Sequence, residues 1–213
     1  MIFSSCLTDQ DPVIVLDASV VINLLATAHT EAILQALGTD LIVVGNVVRE
    51  IDQGEGNGRP ESKQLDELID KKFLRTADLF GPTLTHFFDM VSGPTSDTLG
   101  DGEAATLAYA YDNRFVAAID EKKATRIATE RFQSLKLVTT IDILAYEPVR
   151  AKLGRSALAE ATLRALTLTR MQVRENQFEW ISQLIGEGNV ATCASLKRLA
   201  RCRPDQRNFM TST

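Results

Sequence analysis

Four acidic side chains follow strand-like or loop segments at points where helices begin. Asp17 ends the apolar run VIVL, and Asp120 ends the run FVAAI. Glu50 lies in the first turns of a helix that follows the run DLIVV and a Gly-Asn break, and Glu103 lies in the first turn of an Ala-rich helix. Because ligands of parallel sheets bind beyond the carboxyl ends of the strands, Asp17 and Asp120 are expected at such an edge.

Carboxylates grouped at a buried strand end repel one another, and each raises the pKa of its neighbours. Either some of them are protonated or a cation neutralises them. No histidine or cysteine lies near these acids in the sequence, and ligation by oxygen alone selects Mg²⁺ or Mn²⁺. Taken singly, Asp17 is explained as a helix N-cap, Glu50 as a solvated residue and Glu103 by favourable charge at a helix start.

The elements that carry these acids alternate between short apolar runs and helical patterns, which predicts an α/β fold with a parallel sheet flanked by helices. FLRTADL is predicted as an edge strand and LKLVTT as a further strand. ASVVINLLATAHTEAILQAL reads as one helix, and GEGNGRPES as a mobile surface loop. From Ile141 onward the sequence predicts helices.

The chain is long enough for one sizeable core: 213 residues, 45% hydrophobic and 24% charged. We expect a domain over residues 13–146 and a helical extension over 147–213 that packs on it, ending in a frayed tail, RPDQRNFMTST. The apolar runs are too short to cross a membrane, and the N-terminus lacks a signal-peptide pattern. With three cysteines in no paired motif, a cytoplasmic location is expected.

The charge is unevenly distributed along the chain. Residues 1–146 hold 12 Lys and Arg against 22 Asp and Glu, which gives −10, and residues 147–213 hold 11 against 6, which gives +5. Such asymmetry is typical of contact with a polyanion or an acidic partner, and equally of ordinary solvated faces.

The segments LDASVVINLL, VVREI, GDGEAATLAYA and AAIDEKKATRIA resemble the four acidic motifs of PIN domains, in order, over roughly residues 13 to 145. The last two are similar to those of small prokaryotic PIN proteins related to VapC toxins. The resemblance implies an α/β/α sandwich of the Rossmann type and a metal-dependent nuclease. It implies cleavage of RNA that leaves a 3′-hydroxyl and a 5′-phosphate.

Carried over by position, the resemblance identifies four catalytic candidates, of which all but Glu50 are expected to bind the metal: Asp17, Glu50, Glu103 and Asp120. Ser19 is a polar neighbour of the first acid, and Asn23 is predicted to orient it. At the third position Asp101 competes with Glu103; spacing favours Glu103, and Asp101 is predicted as the N-cap of the helix.

RNA must also meet basic groups, because an acidic edge repels its backbone. The nearest in sequence are Lys122, Lys123 and Arg126, which read equally well as a solvated helix face.

The leading hypothesis is therefore a Mg²⁺- or Mn²⁺-dependent endoribonuclease, the toxin of a toxin–antitoxin pair whose antitoxin or other partner contacts the basic C-terminal region. A homodimer is a further expectation. The alternative is a catalytically inactive protein of the same fold that binds a partner. A third class, an aspartate-phosphorylated α/β protein, fits poorly, because Ser19 stands where a phosphatase of that type needs a second Asp and LDAS supplies one acid where a receiver needs a pair.

Overall fold

The centre of the molecule is a five-stranded sheet in which every strand is parallel to its neighbours. We describe a computed structural model over residues 3–55 and 60–202. The spatial order of the strands is β3-β2-β1-β4-β5. Their bounds are β1 Val13–Leu16, β2 Asp40–Val44, β3 Arg75–Ala77, β4 Val116–Ala118 and β5 Leu137–Val138.

The order of the strands follows from their composition. All four side chains of β1 and all three of β4 are buried, so these short apolar strands lie inside the sheet. The more polar β3 has two exposed side chains and occupies an edge, as predicted for FLRTADL. The predicted α/β class, with a parallel sheet flanked by helices, is confirmed.

Helices connect and flank the strands throughout the described part of the chain. Between β1 and β4 lie α1 Ala18–Ala26, α2 Thr30–Leu37, α3 Gly45–Glu55, α4 Glu61–Asp70, α5 Pro82–Val91 and α6 Asp101–Asn113. After β4 come α7 Lys122–Arg131, α8 Thr140–Ala145, α9 Glu147–Leu168, α10 Phe178–Ile185, α11 Glu187–Val190 and α12 Ala194–Cys202. A short 3₁₀ helix, Glu175–Gln177, precedes α10.

Two predicted element boundaries are wrong. The segment expected as one helix after Asp17 is two, α1 and α2, because Ala28 takes a left-handed conformation with φ 61° and breaks the helix. Gly45 and Asn46, expected as a break after β2, already belong to α3. The predicted loop over residues 54–62 is helical at both ends: its first residues belong to α3 and its last residues to α4. Residues 56–59 lie outside the described part.

The C-terminal helices contact the elements that surround the sheet. The long helix α9, which has one non-helical residue at Gly154, contacts α1, α2 and α8, and α10 and α12 contact α9 in turn. The boundary predicted at residue 146 stays a prediction, and the tail RPDQRNFMTST lies outside the described residues. No helix in the described ranges has both the length and the apolar character that a membrane span needs.

Candidate active site

Asp17 stands directly after β1, at the point where the strand order changes direction between β1 and β4. It is the N-cap of α1: its Oδ2 accepts hydrogen bonds from the Ser19 amide at 3.2 Å and the Ser19 hydroxyl at 2.6 Å. Its Oδ1 is buried and has no hydrogen-bond partner among the described residues. The N-cap function therefore accounts for only one of the two oxygens.

The pKa of Asp17 is raised above its usual value, mainly by burial of a side chain that is 3% exposed, and the charge of Asp120 adds to this. The hydrogen bonds from Ser19 act in the opposite direction. A buried carboxylate with one free oxygen is costly unless a cation or proton compensates it.

Asp120 lies at the same edge, two residues after β4, and its carboxylate is almost fully hydrogen-bonded. The Thr140 amide donates to Oδ1 at 2.8 Å, and the Thr140 hydroxyl and Asn23 Nδ2 both donate to Oδ2 at 2.6 Å. Burial raises its pKa, while Thr140, Asn23 and the charge of Arg174 favour the ionised form. The predicted role of Asn23 is wrong, because Asn23 lies six residues after Asp17 along the helix and its side chain is turned toward Asp120.

Glu50, on α3, reaches toward the start of α6. The Gly102 backbone hydrogen-bonds the Glu50 carboxylate, and a Cβ built on Gly102 would collide with that carboxylate. The absence of a side chain at Gly102 thus admits Glu50 to the site. The pKa of Glu50 is raised by burial of its carboxylate and then by the charges of Asp17 and Asp101, although the residue as a whole is exposed.

Glu103 joins the same group of charges from the first turn of α6. Its pKa is raised to about 7, first by burial and then by the charge of Asp17, with smaller effects of Glu121 and Glu50. Its Oε2 accepts a hydrogen bond from the Gly100 amide at 3.2 Å. Gly100, with an extended backbone, is the N-cap of α6, so the prediction that Asp101 caps this helix is wrong: Asp101 is its first residue.

Two of the three basic side chains that were predicted to bind RNA contact the loop before α6. Lys123 donates to the Thr95 carbonyl at 2.5 Å, and Arg126 donates to the Ser96 carbonyl at 3.0 Å. Arg126 also forms ion pairs with Asp97 and Glu130. Lys122 is exposed at the start of α7. The RNA-binding role of these residues stays a prediction.

Sequence reasoning missed Thr140, whose position could have been found. It ends the predicted strand LKLVTT as Asp120 ends the run FVAAID, so the rule that identified the acids applies to it. It also missed three residues that approach the acids from beyond α9: Thr169, Gln172 and Arg174. Thr169 donates to Asn23 Oδ1, Gln172 donates to Glu121 Oε2 at 2.8 Å, and Arg174 donates to the Thr125 hydroxyl at 2.9 Å.

A cavity of about 660 Å³ opens beside Asp120. Its polar wall includes Ser19, Asn23, Asp120 and Glu121, and the facing wall is formed by residues 168–172. Glu50 and Asp101 line a separate depression of about 270 Å³.

The chemistry of these donors fits a hydrated divalent cation. Among residues 3–55 and 60–202, no group of three or more His, Cys, Asp or Glu side chains is placed to hold a metal ion. Mg²⁺ in proteins keeps several water ligands and is bound through one or two carboxylates, so it does not need such a cage. The unpartnered Oδ1 of Asp17, with Glu50 and Glu103 close enough for the charge of Asp17 to raise their pKa values, supplies the ligands that such an ion requires.

Comparison with known proteins gives one match. A model of the family DUF3368, described as a PIN domain, matches residues 13–187. No curated protein and no solved structure matches the chain. The family model covers most of the chain, and the parallel sheet with acids at its carboxyl edge agrees with it. This protein therefore belongs to the PIN-domain family, whose members generally are nucleases.

Proposed function

We propose that this protein is a Mg²⁺- or Mn²⁺-dependent endoribonuclease with its active site at Asp17, Glu50, Glu103 and Asp120. The observation that supports this most is the buried and unpartnered Oδ1 of Asp17, which lies among other carboxylates at the carboxyl edge of the sheet. Hydrogen bonding within the protein leaves this oxygen unsatisfied, and a bound cation would compensate its charge.

Asp17 and Glu103 would hold the cation, with Asp120 beside them and Glu50 completing the group of charges. A divalent ion bound there supplies positive charge to the scissile phosphate and activates water for the attack. The Ser19 hydroxyl fixes the orientation of Asp17 through its Oδ2 and leaves Oδ1 free.

Thr140 and Asn23 fix the orientation of Asp120 through three hydrogen bonds. These donors favour the ionised form and so oppose the rise in the pKa of Asp120 that burial causes. Glu103, whose pKa is raised to about 7, loses its proton readily when a cation binds beside it.

The test is cleavage of labelled RNA and labelled single-stranded DNA in Mg²⁺, Mn²⁺ or EDTA. We expect RNA cleavage in either metal, products with 5′-phosphate ends, and no cleavage in EDTA. Asp17→Asn should abolish the activity. The matched control is Asp66→Asn, the same change at an exposed residue of α4, which should cleave like the wild type. Equal activity of Asp17→Asn and the wild type would contradict the proposal, and preferred cleavage of DNA would contradict its choice of substrate.

One observation favours the alternative of a non-catalytic protein that binds a partner. Three large apolar side chains, spaced four residues apart along and before α5, are exposed: Phe80, Leu84 and Phe88. The same cleavage assay separates the two functions, because a protein without activity in any metal would leave only partner binding. The toxin role, the antitoxin partner and the homodimer stay predictions from the sequence.

A further inference from the structure

The wall of the cavity that faces the acids is a segment of residues 168–172, which we call the strap. It begins at the last residue of α9 and lines, together with Asp120 and Glu121, a cavity of about 660 Å³. The strap is distant from the acids in sequence, and no motif of the chain identifies it.

The strap is attached to the acidic wall by side-chain contacts. The Thr169 hydroxyl donates to Asn23 Oδ1, and Gln172 Nε2 donates to Glu121 Oε2 at 2.8 Å. Met171, only 1% exposed, anchors the segment in the core. The remaining strap residues are therefore held at a defined position beside the acids.

Arg170 and Leu168 line the cavity without packing into the protein. Leu168 is 64% exposed. Arg170 is exposed, and its side chain has neither an ion pair nor a hydrogen bond with any residue of the described ranges. Its backbone is left-handed, with φ 58°, a conformation that costs energy for arginine and that the contacts on both sides maintain.

A nucleic-acid strand that approaches Asp17 and Asp120 meets several negative charges, so a basic side chain near the cavity is needed to bind its backbone. Lys123 and Arg126 already contact the loop before α6. Arg170 forms no such contact with the described residues, and its guanidinium has the planar geometry that suits a phosphate.

We propose that Arg170 binds a backbone phosphate of the RNA next to the one that is cleaved, so that the strap is the RNA-binding wall of the cleft. This inference rests on the proposed ribonuclease function. The exposed Leu168 beside it then contacts the adjoining nucleotide. Arg170 is thus a substrate-binding residue contributed by the C-terminal region, in which Lys and Arg outnumber Asp and Glu by 11 to 6.

The test compares two arginines that share the same backbone conformation. Arg114, also exposed and with φ 58°, is the C-cap of α6 and precedes β4, so it lies at the opposite, amino edge of the sheet. Each is changed to Asn, which removes the charge and tolerates a left-handed backbone. Arg170→Lys is added, because it retains the charge without the planar guanidinium.

Binding of a fluorescein-labelled RNA oligonucleotide of mixed sequence is followed by fluorescence anisotropy in Mg²⁺ over a range of salt concentrations. The variants are made in the Asp17→Asn background so that the RNA stays intact. Arg170→Asn should weaken binding about tenfold and reduce the salt slope by about 0.7, the value for one phosphate of a single strand. Arg114→Asn should leave both quantities unchanged, and Arg170→Lys should keep the slope with weaker binding.

Equal effects of Arg170→Asn and Arg114→Asn would overturn the inference, as would a larger effect of Lys122→Ala than of Arg170→Asn. Cleavage of the same RNA by the wild-type protein separates a failure of the Arg170 proposal from a failure of the proposed nuclease function. Cleavage combined with equal binding of the two Asn variants would overturn the role of Arg170 and leave the nuclease intact. Neither cleavage nor binding would overturn both.

Discussion

Replacing Asp17 by Asn should stabilise the metal-free protein while removing its activity. Asn retains an oxygen that accepts from the Ser19 amide and hydroxyl, which lie 3.2 and 2.6 Å from Oδ2. The unpartnered Oδ1 is replaced by a neutral NH₂ group, which no longer repels the charge of Glu103. The substitution therefore removes a buried charge without breaking a hydrogen bond.

The size of the effect follows from that single oxygen. A buried polar group without a partner costs about 1–3 kcal/mol, and more if it is charged. We expect the free energy of unfolding to rise by at least about 1 kcal/mol in EDTA. In a chain of this size, that raises Tm by about 2–4 °C.

The matched control is Asp142→Asn, the same change at a buried carboxylate that has partners. Asp142 is 6% exposed, and both of its oxygens accept hydrogen bonds: Oδ2 from the Thr139 amide at 2.9 Å and the Thr139 hydroxyl at 2.6 Å, and Oδ1 from the Cys6 amide and thiol, each at 3.5 Å. The NH₂ group of an Asn would therefore face donors at either position. Loss of charge-assisted hydrogen bonds there should lower the stability by about 1–3 kcal/mol.

The assay is thermal and urea unfolding followed by circular dichroism, in EDTA and in Mg²⁺. At a Mg²⁺ concentration ten times the wild-type Kd, binding should add about 1.4 kcal/mol to the wild type and at most about 0.4 kcal/mol to Asp17→Asn. If Asp17→Asn loses as much stability in EDTA as Asp142→Asn does, the free oxygen is not a source of destabilisation and the reasoning is refuted.

Three further predictions concern the residues around Asp17. Thr140→Val removes the 2.6 Å hydrogen bond to Asp120 and should lower the RNA cleavage rate about tenfold, measured under single-turnover conditions. Because the folded-state pKa of Glu103 is raised to about 7, the stability in EDTA should fall as pH rises from about 4.5 to about 7, and Glu103→Gln should weaken this dependence in urea unfolding. Gly102→Ala places a methyl group against the Glu50 carboxylate and should lower cleavage with the fold retained, as judged by circular dichroism.

The substitutions of Thr140 and Gly102 each have a control elsewhere in the chain. Thr106→Val removes a buried hydroxyl that has no partner in the described structure, so it should leave cleavage unchanged and stability equal or higher. Gly54→Ala, on α3 with open space around its Cα, should stabilise the protein by about 0.5–1 kcal/mol and leave cleavage unchanged. If a variant and its control lose the same amount of cleavage activity, the loss comes from disruption of the fold and not from the site. A stability in EDTA that rises with pH would contradict the raised pKa of Glu103.

The sequence predicted the sheet because its strands are short runs of apolar residues that alternate with helical patterns, as at VIVL and DLIVV. It did not predict the break between α1 and α2, because Ala28 carries no signal for a left-handed backbone. The capping of α6 by Gly100 was missed for a related reason: the Asp beside it is the more usual N-cap residue.

At the candidate site, the acids could be found because each follows a strand or begins a helix, and these are local features of the chain. The partners of those acids could not be found in this way. Thr169 contacts Asn23 from 146 residues away, and Gln172 contacts Glu121 from 51 residues away, so only the fold brings them together. The role predicted for Asn23 was wrong because the prediction rested on its closeness to Asp17 in the sequence. Its position on α1 instead directs its side chain to Asp120.

The account depends most on a divalent cation at Asp17, and this can be measured without RNA. Mn²⁺ is titrated into the protein, and the free ion is followed by electron paramagnetic resonance in the wild type, Asp17→Asn and Asp66→Asn. The wild type and Asp66→Asn should bind Mn²⁺ equally, and Asp17→Asn should bind at least about tenfold more weakly, since it lacks the charged ligand. Equal Mn²⁺ affinity in all three proteins would contradict the assignment of the metal site to Asp17.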